Sequence, residues 1–113
     1  MLTIRKQQSD KLGEVVEKRF KRNTIQRLKE KYPDETNGKD DKEMMDFIHT
    51  GIDKAEKHNI IERRDIAVYL EYMLVYGSNF DTEAENDWAL KVFRIKNLPG
   101  DEKIKRLLKK KPI

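Results

Sequence analysis

The sequence predicts an all-α fold, a compact bundle of four to five helices in a single domain over residues 1–113. Apolar residues recur at spacings of three and four along much of the chain, which is the period of an amphipathic helix. No strand-like alternation of apolar and polar residues persists over five positions. Charged residues make up 41% and hydrophobic residues 36%, with only three prolines, as is typical of a small helical protein. Four Phe, four Tyr and one Trp supply core anchors that disordered chains usually lack.

The first predicted helix is long and runs from about Thr3 to Lys31. Thr3 suits the N-cap position. Pro33 is expected to end the helix, because it disfavours helical geometry at the preceding residue. A polar loop should follow over residues 34–39. The apolar positions of this helix are Leu12, Val15, Val16, Phe20, Ile25, Leu28 and Tyr32.

The second predicted helix begins at an aspartate cap, either Asp40 or Asp41, and closes at the His58-Asn59 pair. Its apolar face carries Met44, Ile48, Ile52 and Ala55, with Met45 and Phe47 at the edges.

The third predicted helix, from about Glu62 to Tyr76, has the broadest apolar face. Gly77 follows the last periodic residue and is expected to form a left-handed C-terminal cap. A short turn then holds one large apolar side chain, Phe80. The apolar positions of the helix are Ile66, Ala67, Tyr69, Leu70, Met73, Leu74 and Tyr76.

Two shorter helices complete the predicted bundle. One begins near Asn86 or Asp87 and carries Trp88. The other begins at Pro99, which suits a first helical position, and precedes a basic tail over residues 109–113. We expect the first helix to pack across the third, with Phe80 and Trp88 closing the core.

The composition also indicates in which cellular compartment the protein folds. The chain has no cysteine, which excludes disulfides and thiolate chemistry. It contains no apolar run near the ~18 residues that a membrane span needs. Its N-terminus, MLTIRKQQSDK, has no apolar signal core, so we expect folding in the cytoplasm and no membrane association.

Neither catalytic nor metal-binding chemistry is expected, and no cofactor is predicted. His49 and His58 are nine residues apart, whereas metal-binding pairs on helices are separated by three or four. Acidic pairs and clusters could be considered for acid–base catalysis or for a hard cation. Because they precede predicted helices, dipole capping is the preferred interpretation. These carboxylates are Asp40, Asp41, Glu83, Glu85 and Asp87.

The charge distribution points to a protein partner. Residues 1–31 contain ten Lys/Arg and four Asp/Glu, a net of +6, whereas residues 32–100 contain nine and fifteen, a net of −6. The last thirteen residues contain six and two, a net of +4. The basic face of the first helix carries no aromatic residue on which bases could stack, so a solvated face or a protein-docking face is favoured over a nucleic-acid site. The predicted partner-binding residues are Lys18, Arg19, Arg22, Asn79, Asp81, Glu83 and Glu85.

Several short motifs lie along the chain after residue 50: a Gly-Ile pair at Gly51, an Arg-Asp-Ile at residues 64–66, and a Gly-x-x-Phe-Asp at residues 77–81. A Trp-Ala pair and a closing Pro-x-x-Glu segment follow. Together these motifs resemble a family of small helical bacterial proteins encoded near type VI secretion components and toxin effectors. Glu62 stands where the family has Ser or Thr, and Asn59 replaces a glycine. The structural motif residues are Gly51, Arg64, Asp65, Tyr69, Gly77, Phe80 and Trp88.

The resemblance implies a non-enzymatic adaptor or chaperone that binds a secreted toxin effector. An immunity protein that inhibits a cytoplasmic toxin is the nearest alternative, and a small nucleic-acid-binding protein is an alternative from another class. We expect Arg64 and Asp65 to form local ion pairs at the start of the third helix. Tyr69, Tyr72 and Tyr76 could serve either the edge of the core or a partner contact.

Overall fold

The computed structural model describes residues 18–113, and every regular element in this part of the chain is a helix. In chain order these are α1 (residues 18–31), α2 (Pro33–Thr36), α3 (Asp41–Lys57), α4 (Arg63–Tyr76), a 3₁₀ turn (Ala84–Asn86), α5 (Asp87–Phe93) and α6 (Gly100–Lys110). The all-α prediction is confirmed. The earlier part of the predicted first helix, residues 3–17, lies outside the described residues.

The described residues contain six α-helices rather than four to five, because part of the predicted 34–39 loop is helical. Pro33 ends α1 as expected, but it also occupies the first position of α2, where its missing N–H costs nothing. The buried Thr36 donates its hydroxyl to the carbonyl oxygen of Tyr32 at 2.8 Å. This side-chain bond holds the single turn of α2 against the end of α1.

Helix α3 has a distinct cap at each end. The Asp40 carboxylate accepts a hydrogen bond from the Glu43 N–H at 2.8 Å, so Asp40 rather than Asp41 is the N-cap. At the other end Asn59 adopts a φ of 62°, and the Ile60 N–H donates to the Ala55 carbonyl at 2.9 Å. This is a Schellman motif in which Asn59 takes the position usually held by glycine.

Helices α3 and α4 approach each other closely at Gly51. A Cβ atom at this position would overlap the side chain of Leu70 and approach Met73 Sδ to 3.0 Å. Gly51 lies within α3. Its lack of a side chain lets α4 bury Leu70 and Met73 against α3.

Aromatic side chains close the core as predicted. The fully buried Phe80 ring lies 5.2 Å from the Tyr69 ring, and Trp88 meets Tyr76 edge-on at 5.0 Å, both measured between centroids. Tyr69 and Tyr72 are fully buried, and Tyr76 is half-buried. The core position therefore accounts for the first two tyrosines.

Gly77 ends α4 with a positive φ of 105°, and its N–H donates to the Met73 carbonyl at 2.9 Å. Its ψ of 153° lies outside the left-handed helical region, so the predicted left-handed cap is wrong in detail. The conformation is nevertheless one that glycine adopts without strain.

The last helix packs on the end of α3. Gly100 lies so close to the backbone of Asn59 and Ile60 that no side chain would fit there. Lys103, which is buried, donates its ammonium to the His58 carbonyl at 2.7 Å. Helix α6 continues to Lys110, so the predicted basic tail begins inside it.

The described part of α1 packs onto α4. Ile25 and Leu28 are buried in the core, and the Lys31 ammonium bonds to Glu71 Oε1 at 2.6 Å. The Tyr32 hydroxyl donates to the same carboxylate oxygen at 3.1 Å. The first predicted helix was expected to pack across the third, and the corresponding helices, α1 and α4, are in contact.

Candidate partner-binding site

The predicted basic face is exposed at the start of the described part of α1. Lys18, Arg19 and Arg22 all project into solvent, whereas Ile25 and Leu28 supply the buried side of the same helix. We call Lys18, Arg19 and Arg22 the basic face. Because the helix is amphipathic, these charges are presented outward from a packed support.

Helix α1 runs antiparallel to α3. The Lys21 ammonium lies 3.3 Å from His49 Nδ1, and the Lys29 ammonium lies 2.9 Å from Asp41 Oδ1. The later α1 residue contacts the earlier α3 residue, which fixes the direction. Lys21, next to Arg22 of the basic face, therefore contacts the middle of α3, and Arg22 lines a groove with Asp41 and Met45 of its first half.

The loop between α4 and the 3₁₀ turn is anchored to the second half of α3. The Lys54 ammonium donates to Asn79 Oδ1 at 2.7 Å and to the Ser78 carbonyl at 2.5 Å. Glu83 and Glu85, farther along, are exposed. We call Asn79, Glu83 and Glu85 the acidic loop, and Asn79 is its anchor.

Asp81 does not belong to this exposed surface, and its prediction as a surface residue is wrong. Its side chain is buried, accepts a hydrogen bond from His58 Nε2 at 2.7 Å, and accepts another from the Tyr69 hydroxyl at 3.2 Å. Burial acts to raise the pKa of Asp81, but the hydrogen bond and charge of His58, helped by Lys54, hold it below its usual value. Asp81 is a structural anchor because the helices that meet there enclose it.

His58 connects three elements around Asp81. Its ring stacks on Phe93 of α5 with centroids 4.1 Å apart, and its carbonyl accepts from Lys103 of α6. The His58 side chain is half-buried. What the sequence did not indicate was its aspartate partner, 23 residues away.

The basic face and the acidic loop share a support without forming one flat surface. Two anchors on α3, His49, which contacts Lys21 next to Arg22, and Lys54, which binds Asn79, are five residues apart. That separation corresponds to about 7.5 Å along the helix axis and about 140° around it. The exposed side of α3 lies between the two anchors and carries Asp46, Thr50, Asp53 and Lys57. A partner that contacts both patches would therefore cross this side of α3.

Arg64 and Asp65 do not behave as the predicted ion pair. Arg64 is exposed and Asp65 is buried, and no ion pair joins them in the described part of the chain. Asp65 Oδ2 is buried without a hydrogen-bond partner. Burial is the main cause that raises the pKa of Asp65, and the charge of Arg64 offsets it in part.

The sequence did not indicate a role for the buried Glu71, which accepts hydrogen bonds from Lys31 and Tyr32. Its hydrogen bond and charge raise the pKa of Lys31 despite partial burial of the ammonium. A glutamate within the apolar run of α4 was the available signal. Lys103 was also missed, and burial lowers the pKa of its ammonium.

Within residues 18–113, no group of three or more metal-binding side chains is placed to hold an ion. No helix of the same residues has the length and apolar character to cross a membrane. Comparison with known proteins gives no match, since no family model, curated protein or solved structure is significantly similar to this chain.

Proposed function

We propose that this chain is a non-enzymatic accessory protein, an adaptor or chaperone, that binds a secreted bacterial toxin effector in a type VI secretion setting and folds in the cytoplasm. The toxin partner and the secretion setting come from the family resemblance of residues 51–107. The binding surface comes from the positions of exposed charges in the structure.

The observation that carries the proposal is the flanking of α3 by exposed charges of opposite sign. Lys18, Arg19 and Arg22 are exposed around Lys21, which contacts α3 at His49. The loop that leads to the exposed Glu83 and Glu85 is anchored on another side of α3, at Lys54. Between them the exposed α3 surface has mixed charge. Such a layout suits a partner with complementary patches, because opposed charges fix orientation and accelerate encounter more than they add affinity.

The support of the acidic loop is preformed. Lys54 binds its first residues, and His58 with Tyr69 holds the buried Asp81 beneath it. A loop that is already ordered loses less conformational entropy on binding. This favours a docking role for the exposed Glu83 and Glu85.

Co-expression with the toxin encoded by a neighbouring gene, in a naive host, tests the role. An adaptor or chaperone should improve the solubility or delivery of the toxin without restoring growth, because it leaves the toxic site accessible. Full rescue of growth would instead support the immunity alternative. A toxin that is neither bound nor altered by the chain would contradict both roles.

Nucleic acid is the second candidate, since the basic face presents three adjacent cationic side chains. We expect only weak and non-specific binding at physiological salt. A phosphate-binding face would give an affinity that falls steeply with salt, with a slope close to the number of contacts. Tight binding in a gel-shift assay, lost in a Lys18→Glu, Arg22→Glu variant, would overturn the adaptor proposal.

A further inference from the structure

A groove with no residue in common with the basic face or the acidic loop lies where α4 and α6 begin. Its volume is about 470 Å³, within the usual range of ligand pockets. The residues that line it are Asn59, Ile61, Glu62, Arg64, Asp65, Pro99, Gly100 and Asp101.

One wall of the groove is apolar and exposed. Ile61 is 73% exposed, the highest value among the exposed large hydrophobic residues of the described chain, although Ile60 beside it is fully buried. Pro99 is also exposed and lines the same groove. A single exposed isoleucine is ordinary on a protein surface and does not by itself indicate a binding site.

Asp65 lines this groove, and one of its carboxylate oxygens lacks a hydrogen-bond donor. The residue is only 8% exposed, and its Oδ2 atom has no hydrogen-bond partner. A buried carboxylate oxygen without a donor is costly, and native structures rarely leave one so. Burial raises the pKa of Asp65, Arg64 lowers it, and the charges of Asp101 and Glu62 raise it further, while Lys105 lowers it.

The sign of the charge selects a cation as the occupant. The lining contains three acidic residues, Glu62, Asp65 and Asp101, and one cationic residue, Arg64. The N-termini of α4 and α6 add a partial positive charge of roughly half an elementary charge each, which leaves the groove net negative. Lys105, the other nearby cation, lies 3.4 Å from Glu102 Oε1.

We propose that this groove binds an arginine or lysine side chain of a protein partner, within a segment that also presents an aliphatic side chain. The cationic head would donate hydrogen bonds to the Asp65 and Asp101 carboxylates. Its aliphatic stem and the neighbouring apolar side chain would cover Ile61 and Pro99, as long basic side chains commonly do on apolar surface. This contact is additional to the toxin-binding surface and does not depend on it.

The test is a titration of the full ¹⁵N-labelled chain with acetyl-Leu-Arg-Leu-Arg-amide, followed by amide chemical shifts. The matched probe replaces both arginines with citrulline, which keeps the shape and removes the charge. We expect saturable amide shifts confined to residues 61–65, 100 and 101 with the arginine peptide, and none with the citrulline peptide.

Variants of the chain sharpen the assignment. Asp65→Asn should weaken binding of the arginine peptide about tenfold, which is the scale of one charge-assisted hydrogen bond. If Asp65→Asn does not fold, Asp101→Asn tests the same charge at a half-buried position. Ile61→Ser should weaken binding, whereas Ile95→Ser, an exposed isoleucine outside the groove, should not.

Three results would overturn the proposal. The first is equal binding of the citrulline peptide, and the second is shifts centred on Glu83 and Glu85 instead. The third is a concentration-dependent shift of residues 61–65 without peptide, which would assign the groove to a second copy of the chain.

Discussion

At the scale of single residues, two buried aspartates show how hydrogen-bond partners decide the behaviour of a carboxylate. Asp81 and Asp65 are equally buried, at 8% exposure each. Each has one buried oxygen without a hydrogen-bond partner, Asp81 Oδ1 and Asp65 Oδ2. The other oxygen of Asp81 accepts from His58 and Tyr69, and the pKa of Asp81 is lowered, whereas the pKa of Asp65 is raised. Ionised Asp81 therefore contributes to stability, and ionised Asp65 opposes it.

The first prediction follows from the sign of these shifts. Because the pKa of folded Asp81 lies below the unfolded value of about 3.9, its contribution is fully present above that value and is lost as the pH falls through the folded pKa. Asp81→Asn should lower the free energy of unfolding at pH 7 by about 1–3 kcal/mol. Urea titrations between pH 2 and 7 would measure both effects.

Asp65→Asn provides the opposite case. Its raised pKa means that the cost of ionisation is present above the folded pKa and is relieved as the pH falls towards the unfolded value. We expect Asp65→Asn to leave the stability at pH 7 unchanged or increased. Asp53→Asn, at an exposed position of α3, serves as the control for both variants. A large loss of stability in Asp65→Asn would mean that its carboxylate is satisfied.

Glycine substitutions give the third prediction. Gly51→Ala gains about 1 kcal/mol of helix propensity but forces Leu70 and Met73 to move, and overpacking costs about 1–3 kcal/mol. In Gly100→Ala the added Cβ would overlap the backbone of Asn59 and Ile60, and backbone atoms move aside less easily than a side chain. Gly100→Ala should therefore be the more destabilising of the two in thermal unfolding.

Gly38→Ala separates backbone strain from crowding. Gly38 has a φ of 81° with no atom within 4 Å of the added Cβ, so only conformational strain of about 1–2 kcal/mol is expected. If all three variants lost the same stability, close packing at Gly51 and Gly100 would not be the cause.

At the scale of elements, α4 organises the core. Its residues contact α3 at Gly51, α1 through Glu71 and the aromatic cluster through Tyr69 and Tyr72. Phe80, which follows the helix, joins the same cluster. Most of the stability of a short helix comes from such packing rather than from propensity.

The fourth prediction tests this role of α4. Leu70→Ala should lower the free energy of unfolding by about 2–5 kcal/mol, the usual range for a truncated core side chain. Val75→Ala on the same helix, at an exposed position, should change it by less than about 0.5 kcal/mol. Denaturant titration compares the two, and a similarly small loss in Leu70→Ala would contradict the packing of α4.

At the scale of the whole molecule, charge is distributed by surface as well as by sequence. The basic face lies beside α3, the acidic loop is anchored on another side of it, and the net-negative groove lies at the starts of α4 and α6. A net charge of +4 alone would not predict these separate patches. Orientation of a partner depends on their positions.

The fifth prediction concerns association with the proposed toxin partner. Lys18→Glu with Arg22→Glu should slow association by about tenfold and make it less sensitive to salt, because steering by the basic face is reversed. The control Lys109→Glu with Lys110→Glu changes the net charge equally at exposed positions of α6. Stopped-flow measurements at several salt concentrations would compare them. Equal slowing by both pairs would indicate general attraction rather than docking on the basic face.

Features that depend on neighbouring residues follow from the sequence. Pro33 ends α1, an aspartate at position 40 or 41 caps α3, and Gly77 takes a positive φ, because each effect operates within one turn of backbone. The apolar period of α4 likewise identified its buried side. The exposure of Glu83 and Glu85 agrees with their place in a polar stretch.

Packing between helices decides which charged residues lie inside the core. Asp81 was predicted at the surface, yet it is enclosed where α3 and α4 bring His58 and Tyr69 together. Gly51 and Asp65 also owe their roles to a particular neighbouring helix. Burial and pKa depend on groups that are distant in sequence, and local periodicity carries no information about which helices meet.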